Sequence, residues 1–252
     1  MATLSEPSFA LLVGATIVAA FVVGLLKTSV SAGTGLVLTS TLSLVLPAPA
    51  VLGLISPLML MSDPIAMRFY WRKWDSRQLW LLIPSSMVGL FAGTWTLTVL
   101  SELWLRRTIG LIALVLALFQ LAVTGRERPL FGERPHWLLG VVVGVITGIA
   151  SIVAHSGGAV SALYLLGAGL SPIPLIATVN AGYAATNLIK VALYWRIGFL
   201  TWTALTLDVL ALPIVLLGAW LGYGLTRVLP RRAFELTILA IAIAGALRLL
   251  LA

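Results

Sequence analysis

Four ionisable side chains stand where an apolar chain should not carry them. Lys27, Asp63, Lys190 and Asp208 each fall within or near the end of a long hydrophobic run. A charge at bilayer depth costs about 2.5–3.5 kcal/mol or more on insertion scales, so such residues mark substrate or ion pathways or neutralise one another. Asn187 and Lys190 are three residues apart and share a helical face, with Asn180 broadly adjacent. Asp63 precedes Pro64 in the corresponding run of the first half, where Lys27 and Asp63 are candidates for gating or charge pairing. Lys190 could also neutralise Asp63 from the other half. Alternatively it could snorkel to the membrane surface, since it lies about four residues from the end of its run. His155 adds a side chain able to exchange protons, donate to an anion, or simply hold two helices together by a hydrogen bond.

Two small polar breaks interrupt the apolar runs. The first is Lys27-Thr-Ser-Val-Ser-Ala-Gly33-Thr-Gly35, the second His155-Ser156-Gly157-Gly158. Non-helical backbone at membrane depth is tolerated only inside protein or beside a water-filled cavity. Glycine there permits a turn and lets a ligand approach the backbone closely. A helix restarting after Gly33 or Gly157 presents free N–H groups and a partial positive charge, which suits a sulfonate, sulfite or carboxylate. Ser29, Ser31, Thr34 and Ser156 would add hydroxyl donors, with Gly33, Gly35, Gly157 and Gly158 shaping the backbone. The competing reading is that these small residues only let helices pack closely.

These residues must be held by membrane-spanning elements. Of 252 residues, 60% are hydrophobic and 10% charged, with a mean hydropathy of +1.10. A soluble domain carries about 25% charged residues, so the chain lacks the polar surface it would need in water. A span takes about 20 apolar residues. The runs 8–26, 51–70, 79–100, 107–123, 137–154, 175–193, 199–220 and 233–251 qualify. The pieces 35–46 and 159–170 are too short to cross untilted, and each ends in a Pro-x-Pro, Pro47-Ala-Pro49 and Pro172-Ile-Pro174. The expected fold is an all-α polytopic membrane protein of about eight transmembrane helices plus two short broken or re-entrant half-helices.

The chain also repeats. Tyr70-Trp71-Arg72 recurs as Tyr194-Trp195-Arg196, and at the same offset Gly24 meets Gly148, Gly33 meets Gly157 and Asp63 meets Asn187. Pro84, Gly89 and Gly93 recur as Pro213, Gly218 and Gly222, and Arg106-Arg107 as Arg231-Arg232. This divides the chain into a first transmembrane repeat, 1–123, a polar connecting loop, 124–136, and a second repeat, 137–252. If the loops 68–77 and 124–136 and the segment 227–232 face the cytoplasm, ten basic residues lie inside against four outside (Arg106, Arg107, Arg196 and Arg248). The positive-inside rule favours that arrangement, which puts Trp71 and Trp195 on opposite faces and makes the two repeats inverted.

Other function classes lose ground on composition. The formal net charge of +8 is scattered in islands between apolar runs rather than gathered on a wettable face, so nucleic acid is not an expected partner. With no cysteine and only two histidines, far apart, no thiol chemistry, disulfide or metal cluster is expected. No catalytic constellation or phosphate loop appears, so neither catalytic residues nor a cofactor are expected. The first seven residues contain no basic side chain, so the first apolar run reads as a permanent helix rather than a cleaved leader. Seven of the nine tryptophans mark span ends as an interfacial belt. The expected partners are membrane lipid and a small anionic substrate; a homodimer is compatible, and the sequence does not fix oligomeric state.

The segment Ala154-His155-Ser156-Gly157-Gly158, followed by Asn187-x2-Lys190-x3-Tyr194 and Gly198, resembles the second-half signature of the sulfite exporter TauE/SafE family. Gly24 to Gly35, Tyr70 and the Pro84/Gly89/Gly93 pattern resemble its first half. The resemblance implies a bacterial inner-membrane transporter, often an exporter, of small sulfur-containing anions such as sulfite, sulfoacetate or a related organosulfonate. It also raises His155, Asn187 and Lys190 as substrate-binding residues. A channel-like anion facilitator is the nearest alternative, followed by an intramembrane enzyme and by an assembly subunit with no substrate of its own.

Overall fold

The computed structural model describes residues 8–29, 33–123, 136–225 and 231–251, and every regular element among them is a helix. The connecting loop 124–135, with its three arginines, and Ser31 in the first break lie outside the described residues. The first half forms α1 (Phe9–Ser29), the short α2 (Thr34–Leu42), α3 (Ala48–Tyr70), α4 (Ser76–Val99) and α5 (Glu102–Val123). The second forms α6 (Trp137–Ala154), the short α7 (Gly157–Gly167), α8 (Pro172–Arg196), α9 (Trp202–Leu210), α10 (Leu212–Leu225) and α11 (Arg231–Leu251). The Pro-x-Pro motifs act as helix starts. Pro47 is the N-cap of α3 and Pro172 opens α8, positions where the missing N–H has no intrahelical partner to lose.

Five helices are long and apolar enough to cross a membrane: Phe9–Ser29, Ala48–Arg68, Ser76–Val99, Glu102–Ala122 and Trp137–Ala154. The pair Trp202–Leu210 and Leu212–Gly222 is long and apolar enough only when taken together, and it is bent by 50°, as in a broken span or a re-entrant loop. Where the sequence reads as one span over 199–220, the structure therefore breaks it at Ala211. Pro213, just beyond the break, cannot donate a helical hydrogen bond to the Val209 carbonyl and so weakens the helix there. α8 has the length to cross, with 25 residues, but Asn180, Asn187 and Lys190 dilute its apolarity.

One interior proline of α3, Pro57, is accommodated by a side chain. Pro57 cannot donate to Gly53 O, and Ser56 Oγ donates to that carbonyl instead at 3.0 Å. The large apolar side chains that remain exposed, among them Trp80, Trp95, Val115 and Trp220, form the outer surface that lipid would cover.

Two helix pairs pack backbone to backbone, and glycine makes both possible. α1 lies along α10 and α4 along α6. A Cβ at Gly24 would fall on Val215 O and Ala219 N, and one at Gly148 on Ser86 O and Leu90 N. A Cβ at Gly218 would meet Phe21 O, and one at Gly89 would meet Val145 O. In each comparison the contacted residues are themselves displaced by the repeat offset: Val215 from Ser86, Ala219 from Leu90, Val145 from Phe21. Around these pairs α3 packs on α8 and α5 on α11, so the residues singled out on α3 and α8 face one another.

Candidate functional site

α3 and α8 bring a buried polar cluster together. On α8, Tyr183, Asn187, Lys190 and Tyr194 recur at helical spacing and are all buried on one face. On α3, Leu52, Met59 and Asp63 present a matching line. Asn187 Nδ2 donates to Asp63 Oδ2 at 2.8 Å, a bond between positions that correspond in the two halves. Asp63 Oδ1 is taken by Lys27 of α1, whose Nζ also donates to Met59 O at 2.8 Å and lies 5.4 Å from the centre of the Tyr183 ring. Asp63 is therefore neutralised by Lys27 rather than by Lys190.

Lys190 is fully buried and does not snorkel. Its helix continues to Arg196, and its ammonium points inward to His155, donating to Nδ1 at 3.0 Å. The opposite ring nitrogen of His155, Nε2, lies 3.1 Å from Leu52 O. A carbonyl can only accept, so Nε2 carries the proton and Nδ1 offers its lone pair to the lysine. The ring is held against Tyr194, with centroids 5.7 Å apart. Among the described residues the ion pairs are Lys27–Asp63 and Arg106–Glu102. Lys190 is thus a buried ammonium with no carboxylate partner.

The two sequence breaks meet beside this cluster. Gly33 is left-handed at φ 95°, a conformation that glycine adopts without strain. Gly35 lies so close to His155 that a Cβ would strike its backbone oxygen. At the second break the left-handed residue is His155 itself, at φ 51°. Gly157 and Gly158 are helical and serve a different purpose from the expected turn. A Cβ at Gly157 would meet Thr147 O and Ser151, and one at Gly158 would meet the Tyr183 hydroxyl. Both positions are filled by protein, so the room they make is for helix packing. The carbonyls orphaned where α6 ends are satisfied by side chains: Tyr194 OH donates to Ile152 O, and Ser156 Oγ to Ala154 O at 2.9 Å.

The expected hydroxyl donors fare unequally. Ser29 Oγ donates to Leu25 O at 2.6 Å within its own helix, and Ser156 is engaged as described. Thr34 Oγ1, at the start of α2, is buried without a hydrogen-bond partner among the described residues. Asn180 is buried two turns before Asn187 on α8. Sequence reasoning passed over Tyr183 and Tyr194 as cluster members, although their spacing with Asn187 and Lys190 signals one buried face. It also passed over Thr147 and Ser151, which lie one turn apart on α6 with hydroxyls that have no partner among the described residues. Asp208, on α9 just before the bend, is fully buried, and neither carboxylate oxygen has a hydrogen-bond partner among the described residues.

A protein-family model described as Sulfite exporter TauE/SafE matches residues 16–249, a range that takes in every residue of the cluster. No curated protein and no solved structure matches the chain.

Proposed function

This chain belongs to the sulfite exporter TauE/SafE family, and from that premise we propose that it is a secondary transporter exporting a small sulfur-containing anion across the bacterial inner membrane. The substrate class is sulfite, sulfoacetate or a related organosulfonate. Multi-pass membrane character follows from the family and from the apolar helices; the direction, membrane and substrate are our reading. The observation that carries it is Lys190, a fully buried amine that bonds His155 and has no carboxylate within ion-pair distance among the described residues. An unpaired buried charge is penalised by several kcal/mol, and an anionic substrate would supply the missing charge. His155 fixes the position of the Lys190 amine, Asn187 binds Asp63, and the Lys27–Asp63 pair contributes no net charge.

The two halves read best as inverted repeats. The glycine contacts of α1 with α10 correspond position by position to those of α6 with α4, as expected when two duplicated units exchange helices about a pseudo-two-fold axis. The basic loops then place the α3–α4 connection in the cytoplasm. At −100 mV an exported monovalent anion gains about 2.3 kcal/mol from the membrane potential, so export needs no coupled ion.

The test is counterflow of radiolabelled sulfite and sulfoacetate in proteoliposomes holding the purified protein. Saturable exchange accelerated by unlabelled anion inside supports a carrier. Flux that never saturates would replace the carrier with a facilitator, and chemical conversion of the label would replace it with an enzyme.

A further inference from the structure

A cleft separate from the Lys190 ammonium opens between α4, α6, α7 and α8, and its wall is rich in hydroxyl groups: Ser86, Thr147, Ser151, Ser161, Thr178 and Thr186. A hydroxyl has one proton to donate, and four of these six have already committed it. Ser86 donates to Ile83 O at 2.8 Å, Ser161 to Gly158 O at 3.2 Å, Thr178 to Pro174 O at 2.7 Å and Thr186 to Gly182 O at 3.0 Å. Thr147 and Ser151 remain. They are 8% and 1% exposed, and neither hydroxyl has a partner among the described residues. A buried hydroxyl without a partner is uncommon in a native fold and calls for an explanation.

Their position supplies one. Thr147 and Ser151 lie four residues apart on one face of α6 and line the cleft with Gly157, the first residue of α7, which Thr147 approaches through its carbonyl oxygen and Ser151 through its Cβ. α7 is 11 residues long, and its N-cap Ser156 makes no side-chain cap bond to the first turn. The positive end of the α7 dipole therefore borders the same cleft as Thr147 and Ser151. Among the described residues no carboxylate lines the cleft. Thr178 on the cleft wall accepts from Asp75 N at 2.9 Å, which sets the cleft beside the start of α4.

We propose that Thr147, Ser151 and the N-terminus of α7 form an oxyanion subsite that receives the XO3 head group of a sulfite or sulfonate entering from the cleft. This rests on the transport reading and adds to it a station distinct from Lys190. Neutral donors converging on a corner without acceptor carboxylates suit a pyramidal or tetrahedral oxyanion. Tyr183 borders the cleft and also faces Lys27, with its hydroxyl against Gly158. It therefore stands between the subsite and the cluster behind it.

The experiment compares wild type with Thr147→Val, Ser151→Ala, their double variant and Ser161→Ala. Two readouts are used: the sulfite concentration giving half-maximal counterflow, and the thermal shift produced by sulfite on the detergent-purified protein. A hydrogen bond to a charged group is worth about 1.5–3 kcal/mol, so each single variant should raise half-saturation about tenfold or more, and the double about a hundredfold or more. Ser161→Ala, whose hydroxyl is already engaged, should stay within about twofold. Melting temperatures without sulfite should not fall, because removing an unpartnered hydroxyl relieves rather than creates an unsatisfied group. Unchanged half-saturation in Thr147→Val and Ser151→Ala, or an equal shift in Ser161→Ala, would overturn the subsite while leaving the transport reading intact. A wild type that does not transport but is stabilised by sulfite through Thr147 and Ser151 would sink the transport reading alone. Absence of both transport and stabilisation would sink both.

Discussion

Two lysines of one buried cluster should respond in opposite directions to the same substitution. Lys27→Met removes the cation that pairs with Asp63, leaving that carboxylate 2% exposed with only the 2.8 Å bond from Asn187. Breaking a buried pair from one side costs about 3–5 kcal/mol. For a chain of this size that is roughly 6–20 °C in melting temperature at about 2–4 °C per kcal/mol. Lys190→Met removes an ammonium that has no carboxylate partner. It leaves His155 Nδ1 without its donor, at about 1–3 kcal/mol, but relieves a lone buried charge worth several kcal/mol. The net result is a melting temperature equal to wild type or a few degrees higher. Ligand response separates the two further. At a sulfite concentration a hundredfold above Kd, binding stabilises wild type by about 2.7 kcal/mol, and this gain should vanish in Lys190→Met. Lys190→Arg should recover only part of it, because guanidinium and ammonium differ in geometry. The assay is tryptophan-fluorescence melting of purified protein in detergent, with and without sulfite, and the double variant Lys27→Met/Asp63→Leu should regain most of the stability lost in the single. If Lys190→Met melts as low as Lys27→Met, Lys190 has a structural counter-charge and the argument for an anion beside it fails.

Three further outcomes follow from the packing. Gly148→Val drives a side chain into Ser86 O and Leu90 N and should abolish folded protein on size-exclusion chromatography, whereas Gly14→Val, with open space around it, should elute and melt within a few degrees of wild type. Single cysteines at Lys73 and Arg196, both exposed at helix ends, should react with an impermeant thiol reagent from opposite sides of the membrane; labelling of both from one side would remove the inverted arrangement. Asp208→Leu replaces a buried carboxylate with no partner, a group whose burial costs about 1–3 kcal/mol or more, and should raise the melting temperature; a fall would mean that a bound water or cation satisfies it in the native protein.

The amino-acid sequence determines much of this architecture locally. Apolar run length dictates helices, Pro47 and Pro172 dictate where two of them begin, and polar breaks dictate where α2 and α7 restart. Even the spaced glycines, matched between halves, announce which helix faces come close, since only a residue without a Cβ permits backbone contact there. Helical spacing likewise placed Asn187 and Lys190 on one face. What spacing on a single helix leaves open is which other face that stripe meets, because this depends on the crossing of helices far apart in sequence. Only the tertiary packing gave Asp63 to Lys27 rather than Lys190, turned Lys190 inward to His155 instead of toward the membrane surface, and set Thr147 and Ser151 against the start of α7. It likewise decided that the 50° bend falls at Ala211, just before Pro213, while the counterpart Pro84 sits inside a continuous α4. A local sequence limits the conformations and faces a helix can offer; the partner of each buried polar atom is chosen by the neighbouring helices, and among the described residues that choice leaves Lys190 without a carboxylate and the Thr147 and Ser151 hydroxyls without a hydrogen-bond partner.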